Sequence, residues 1–343
     1  LDHQEVNLIN SSLTSLTDVT QAKTLKANLN ICFQGIIPIG KGFYISEEMT
    51  QEWLKKDRKN QEVLKPSLGA NDLTKNPHGK PDRWIIDFHN LSLENASNYQ
   101  LPFEYIKENV KPEREKNRSK KAREYWWKFG GNAQTMREKI KNLPYYFAIP
   151  RHSKWFIFLP INSNFLPADS TNIVASDDFY ILGILTSKVH RLWLKAQCST
   201  LEDRTRYTNT TCFETFPFPQ FDPPQPPLKR GEKSKKVPLL KGDLGGSENV
   251  KKIRETMIKL HQYRTEQMEK KQWGITQLYN KFFAEKSSQL YKLHQQLDNL
   301  VILTYNFNSD DDILSKLLDL NLKLAKTEAK GEKIIGCWDP FSG

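Results

Sequence analysis

Cysteine is scarce and scattered: Cys32, Cys198, Cys212 and Cys337 are the four in a chain of 343 residues, with no C-x-x-C pair. This spacing excludes a zinc ribbon and a disulfide framework, and it fits reduced thiols in a cytoplasmic protein. Long apolar runs are absent too. None approaches the roughly 20 residues that cross a bilayer, so no membrane partner is expected. No signal peptide is expected. The chain opens on Leu1 rather than Met, which reads as a fragment or clipped product. Histidine is sparse, seven in all, and follows no ligand spacing. His190 and His294 fall on helix faces, where packing accounts for them.

Motifs that carry chemistry are missing as well. Adenine methylation of DNA needs a D/N-P-P-aromatic loop to stack the flipped base. Asp222-Pro223-Pro224-Gln225 lacks the aromatic, Asn142-Leu143-Pro144-Tyr145 lacks a proline, and Asp339-Pro340-Phe341 lacks the proline pair. The G-K-G at Gly40–Gly42 lacks the spacing of a phosphate loop, and no Gly-rich turn follows an apolar strand and opens a helix. Pro81-Asp82 finds no acid-x-Lys partner for a metal nuclease. No Ser/His/Asp arrangement can be inferred from spacing. Neither a metal nor a cofactor is expected on this chain, and independent catalysis is not expected.

Positive charge is present, and it is concentrated. The net charge is +11, and Lys107–Lys128 holds nine Lys/Arg against four Glu. Pro112 suits the first turn of a helix, with Glu113 and Glu115 where the dipole favours acids. At about 100° per residue, Lys111, Arg114, Arg118, Lys121, Tyr125 and Lys128 share one side. Such a stripe suits phosphate, since each neutralised phosphate releases condensed counterions. The same run also makes an ordinary solvated helix face with i,i+4 ion pairs. Positions 229–243 add six Lys/Arg against two acids.

Along the chain, 1–32 reads as a lead-in with a short helix capped by Asp18. Ile31–Ile45 reads as strand, turn, strand around its glycines. Thr50–Leu64 reads as a polar helix, Pro66–Pro81 as a turn-rich loop and Arg83–Phe88 as a buried strand. Strands follow from Tyr145 to Ala175, with polar loops between them. Asp177 and Asp178 cap an apolar helix. Ser199–Pro219 is rich in hydroxyls, with Arg204, Arg206 and Tyr207 among them, the donor types that grip phosphate oxygens. The same hydroxyls also satisfy loop backbone on their own account. Pro223–Gly246 is dominated by Pro, Gly and Lys and reads as a linker. From Asn249 the pattern is helical, with Leu290, Leu293, Leu297 and Leu300 as a packing seam.

Several strings together resemble the MmeI-like (type IIL) restriction–modification proteins. They are D-V-T-Q-A-K (Asp18–Lys23), F-Q-G-I-I-P-I-G-K-G-F (Phe33–Phe43), R-W-I-I-D-F (Arg83–Phe88) and V-K-P-E-R-E-K-N-R (Val110–Arg118). D-D-F-Y-I-L-G-I-L (Asp177–Leu185), S-T-L-E-D-R-T-R-Y-T (Ser199–Thr208), F-E-T-F-P-F-P (Phe213–Pro219) and L-H-Q-Q-L-D-N-L-V-I-L-T-Y (Leu293–Tyr305) follow in order. That family fuses a nuclease, an adenine-specific DNA methyltransferase and a target-recognition domain. The resemblance implies that this chain is the C-terminal recognition part, and that S-adenosylmethionine belongs to the parent enzyme.

The expected fold is α+β. Residues 1–32 lead in from an upstream methyltransferase domain, and a mixed-sheet recognition domain spans 33–220. A linker covers 221–248 and a helical segment 249–343. The expected partners are double-stranded DNA and the upstream methyltransferase and nuclease domains. Phosphate contacts are assigned to Lys111, Arg114, Arg118, Lys121, Arg204, Arg206 and Tyr207. Base reading needs bidentate donors on loops, and is assigned to Arg151, His152, Lys154, Asp169, Ser170, Thr171 and Asn172. The alternative is a protein–protein interaction module of a DNA-processing complex, with incidental DNA contact.

Overall fold

In the computed structural model the apolar run Tyr145–Pro150 is an inner strand, covered on both faces. Tyr146, Phe147, Ala148 and Ile149 are all fully buried, which is why the run shows no polar alternation. It pairs antiparallel with Leu159–Asn162 on one side and Thr171–Val174 on the other. Cys32–Gln34 completes this sheet, with Phe33 opposite Ile173. Gly35 follows at once, and a Cβ there would lie 2.2 Å from the carbonyl oxygen of Ala168. No side chain fits that backbone-to-backbone approach. A second sheet runs Tyr44–Ile45, Trp84–Ile86, Leu64–Leu68, Leu166–Pro167, with only the last pair parallel. The two strands expected around the glycines of Ile31–Ile45 therefore enter different sheets.

The structure describes residues 17–198, 200–201, 204–221, 242–282, 284–308 and 311–338. The class is α+β, and the chain forms two compact units. The sheets above belong to one, Asn30–Asp177 with Gln267–Leu278. The other comprises Leu1–Leu29, Asp178–Glu266 and Tyr279–Gly343. These boundaries differ from cuts at 33 and 220, because the lead-in and the Phe213–Pro219 segment belong with the tail helices. Positions 222–241 of the expected linker lie outside the described residues, and 242–248 open the helix Gly242–Lys271.

In the helical unit, Asp178 caps Phe179–Thr186, and Arg254 grips the same carboxylate with Nε 2.8 Å from Oδ1. Ser187 ends that helix and caps Lys188–Gln197, so the apolar run makes two helices. Gly183 lets the first lie close on Gly242–Lys271, since a Cβ would meet Ile253 Cγ2 at 2.6 Å. Leu290, Leu293 and Leu297 form the buried face of Gln289–Thr304. Asp312 caps the last helix, Ile313–Ala329. Its fully buried Asn321 accepts from Lys23 N at 2.8 Å and donates to the carbonyls of Lys23 and Thr215 at 2.8 and 2.6 Å. One amide thus joins lead-in, Phe-rich segment and tail. Cys198 and Cys212, distant in sequence, bring their Sγ atoms to 3.5 Å. Among the described residues, no helix is long and apolar enough to cross a membrane, and no His/Cys/Asp/Glu group is arranged to hold a metal.

Two buried histidines make this unit pH-sensitive. His190 donates through Nδ1 to Leu185 O at 2.9 Å, and burial pulls its pKa from 6.5 down to about 4. His294 lies between Arg191, 3.2 Å from its Nδ1, and the Tyr279 hydroxyl, 2.8 Å from its Nε2. Arginine only donates, so Nδ1 is the acceptor and Nε2 carries the proton. Burial and the Arg264 and Arg191 charges hold His294 well below its ordinary value. Both groups take up protons more readily unfolded than folded. The contribution of His190 is complete above about 6.5 and is lost as pH falls toward about 4, worth about 3 kcal/mol, and that of His294 is lost in the same direction as pH falls. Melting temperature is expected to drop steadily from pH 7 to pH 5, and a flat profile would contradict the neutral burial.

Candidate nucleic-acid interface

The basic stretch Lys107–Lys128 is not one helix. It contains the end of Gln100–Asn109, then Lys111–Glu115, then Lys120–Glu124. The last break is built by turn chemistry. Asn117 Oδ1 accepts from Ser119 N at 2.9 Å, and Ser119 Oγ accepts from Ala122 N at 3.4 Å. Arg123 Nη1 closes the turn by donating to the carbonyls of Asn117 and Arg118. The break resets the helical phase, so positions on one side of a continuous helix part company.

Arg114 is the residue most affected, and its placement corrects the expected stripe. It is 2% exposed, and Nη2 donates to Pro38 O and to Lys128 O. Its guanidinium carbon lies 5.7 Å from the Phe43 ring centroid. Burial lowers its pKa, with the Glu113 charge opposing. Arg114 therefore ties the middle of the segment to its last residue, Lys128, and to the loop at Pro38. Lys111 is half-buried, 5.6 Å above the Trp126 ring and 3.7 Å from Glu115 Oε1. Arg118 and Lys121 are exposed. Lys128 sits over the Tyr125 and Trp127 rings, and Trp126 and Trp127 are buried anchors.

The two candidate base-reading loops come together at the end of the first sheet. Pro150 is opposite Thr171, Arg151 N donates to Ser170 O at 2.9 Å, and Arg151 Nη1 donates to Asp169 O at 3.1 Å. His152, Lys154 and Asp169 are exposed there, and Lys154 Nζ lies 5.3 Å from the Trp155 ring centroid. Ser170 is half-buried and accepts from Ala70 N at 3.1 Å. Thr171 and Asn172 are corrections. Both are buried strand residues, with Asn172 between Ile149 and Gln34 in the ladder and Thr171 Oγ1 donating to Ala168 O. Neither offers its side chain to a base edge.

The hydroxyl-rich segment divides similarly. Arg204–Arg206 is a strand paired with Thr200–Leu201. The Arg204 side chain lies outside the described residues, and Arg206 is exposed. Tyr207 is 1% exposed, its ring 6.4 Å from that of His190, so it is a core residue and not a surface donor.

Sequence reading missed several polar groups nearby. Gln34 Nε2 donates to Asp169 O at 3.2 Å. Arg83 is exposed and stacks 4.3 Å above the Tyr44 ring. Burial pushes the Tyr44 hydroxyl pKa up, Arg83 pulls it back and Asp169 adds to the rise, so these groups share one electrostatic neighbourhood. Arg83 stood within a string read only as strand. Its place at the strand's polar entry was the available signal.

Among the described residues, the sheet unit holds two cavities that bear on the site. The larger, about 870 Å³, is lined by Trp84, Asp87, Arg137, Glu138 and Lys141 among others. Its acids are engaged, Asp87 by Arg137 Nη1 at 2.7 Å and Glu138 by Gln134 Nε2 at 2.6 Å. The smaller, about 350 Å³, has Arg114, Lys121 and Lys128 beside Asn90, Asn117 and Asn132, with no acid in its lining.

Comparison with known proteins gives a consistent picture. A 151-residue stretch is 26% identical to DNA methyltransferase A of Bacillus subtilis (strain 168), covering 43% of this chain and 14% of that protein. A solved structure described as the type IIL restriction–modification enzyme MmeI in complex with DNA superposes with a TM-score of 0.70 at 18% identity. It matches 94% of this chain and 39% of its own. The chain thus spans well under half the length of either protein. The family model described as MmeI, target recognition domain, matches residues 16–220. The chain belongs to the MmeI target recognition domain family.

Proposed function

We propose that this chain is the DNA-reading part of a restriction–modification enzyme. It holds double-stranded DNA by its phosphates and reads base edges. It positions a target adenine for an upstream S-adenosylmethionine-dependent N6-adenine methyltransferase domain, and sets where a nuclease domain acts. Membership of the target-recognition family carries this reading. The chemistry of the loop cluster supports it. Arg151, His152, Lys154, Asp169, Gln34 and Arg83 supply donors and an acceptor on the rim of a rigid sheet, as groove readout requires. The exposed cations Arg118, Lys121 and Arg206 supply sequence-independent grip. No step of the methyl transfer is assigned to this chain. The parent enzyme works in the cytoplasm, beside the DNA it modifies.

Filter binding to duplex DNA with heparin as competitor tests the reading. A reader of base edges retains part of its duplex under a heparin excess that strips charge-only contacts. Complete loss at the lowest heparin concentration would contradict it and favour the interaction-module alternative.

A further inference from the structure

The smaller cavity of the sheet unit has features that phosphate contact in general does not require. Arg114 forms part of its wall while being 2% exposed, and the Arg114 Nε–H has no hydrogen-bond partner. A buried charged donor left without an acceptor is costly, and with Nη2 already given to the carbonyls of Pro38 and Lys128, Nε–H is a charged donor still open to a phosphoryl oxygen. Lys121 and Lys128 line the same space, with Ser119, Asn117, Asn90 and Asn132. Asn132 is held in place by donating through Nδ2 to His89 Nδ1 at 2.9 Å and to Asn90 Oδ1 at 3.3 Å. Three cations, three amides and the hydroxyl-bearing side chains of Ser119 and Tyr125 line the cavity, and no carboxylate lines it. Tyr125 and Ile39, both nearly half exposed, complete its wall with apolar surface.

We propose that this cavity is a receptor for one phosphoryl group, a backbone phosphodiester of the duplex, inserted against Arg114 with Lys121 and Lys128 at the mouth and the sugar against Tyr125 and Ile39. The proposal rests on the DNA-binding reading and names the place where one phosphate is seated, not merely attracted. Seating fixes the position of the sheet unit along the backbone, and so fixes which base pairs face the Arg151–Asp169 rim.

Ser119→Asp tests it. Ser119 is a helix N-cap, and aspartate caps as well as serine, so the variant keeps the turn and places a carboxylate in the cavity. Gln289→Glu, exposed in the first turn of Gln289–Thr304, adds the same charge elsewhere. Melting curves check that both fold. Duplex binding is measured against salt for the full chain and both variants, and inorganic phosphate is titrated separately with the backbone amide shifts of position 119 and of Asn132 as readout. The expected result is about tenfold weaker duplex binding for Ser119→Asp, a salt slope lower by about 0.9, and wild-type behaviour for Gln289→Glu. Saturable phosphate shifts present in wild type and absent in Ser119→Asp add support. Equal duplex binding and slope in the two variants would overturn the proposal while leaving DNA binding standing. If phosphate saturates the cavity but Ser119→Asp leaves duplex binding at the control value, the cavity takes a free phosphate and the duplex assignment is overturned. If wild type binds no duplex, the functional reading fails, and with it the assignment of the cavity to DNA.

Discussion

The double variant Arg118→Ala, Lys121→Ala is expected to lose duplex affinity roughly 10- to 100-fold at about 0.1 M salt, with the salt slope falling by about 1.8. Both side chains are exposed, and they flank a turn fixed by Asn117, Ser119 and Arg123. Removing them takes away charge and leaves the turn intact. Contacts to phosphate carry no sequence information, so target and random duplexes should weaken by the same factor. Salt titrations on both kinds of duplex measure this. An unchanged slope would make the segment a solvated face, and a loss confined to one sequence would make these residues base readers.

Arg137→Ala is expected to be the most destabilising single change, at about 3–5 kcal/mol. The Asp87 side chain is 3% exposed, and its Oδ2 receives Arg137 Nη1 at 2.7 Å. Its Oδ1 accepts from His89 N. Arg137 Nε also donates to Asn132 O at 2.8 Å. Truncation leaves a buried carboxylate without its counter-charge and removes a donor from the backbone that carries Asn132. Replacing both partners, Asp87→Asn with Arg137→Met, should cost much less, because no lone charge remains. Denaturant unfolding followed by tryptophan fluorescence measures both variants. A single-variant loss below about 1 kcal/mol, the usual value of a surface pair, would contradict the burial.

The legible parts of the fold were those written in local apolar pattern. Tyr145–Ala175 declares its strands because buried strands need runs of aromatic and branched residues. The Leu290–Leu297 seam declares a helix. What failed was phase and burial. A 100° wheel treats Lys107–Lys128 as continuous, although Asn117 and Ser119 are the residue types that start a new helix. Arg114 thereby looked solvent-facing when two carbonyls claim it. Asp169–Asn172 was read as loop from its polar composition, yet tertiary pairing with Ile149 and Gln34 draws Asn172 into the ladder. The stretch Pro66–Pro81 hid the strand Leu64–Leu68 and the helix Ala70–Lys75. Pro66 is tolerated because it pairs with Trp84, where the strand's next backbone bond comes from Ser67 N to Arg83 O. The meeting of Arg151 with Asp169, or of Arg114 with Lys128 and Pro38, has no local signal, since it depends on how separated strands and turns pair.

The central claim is that this chain distinguishes one duplex sequence from another. Selection of bound duplexes from a randomised pool, sequenced over successive rounds, tests it most directly. The account predicts one enriched motif, surviving in Arg118→Ala, Lys121→Ala at lower yield and changed in Arg151→Ala. A bound pool indistinguishable from the input would contradict it.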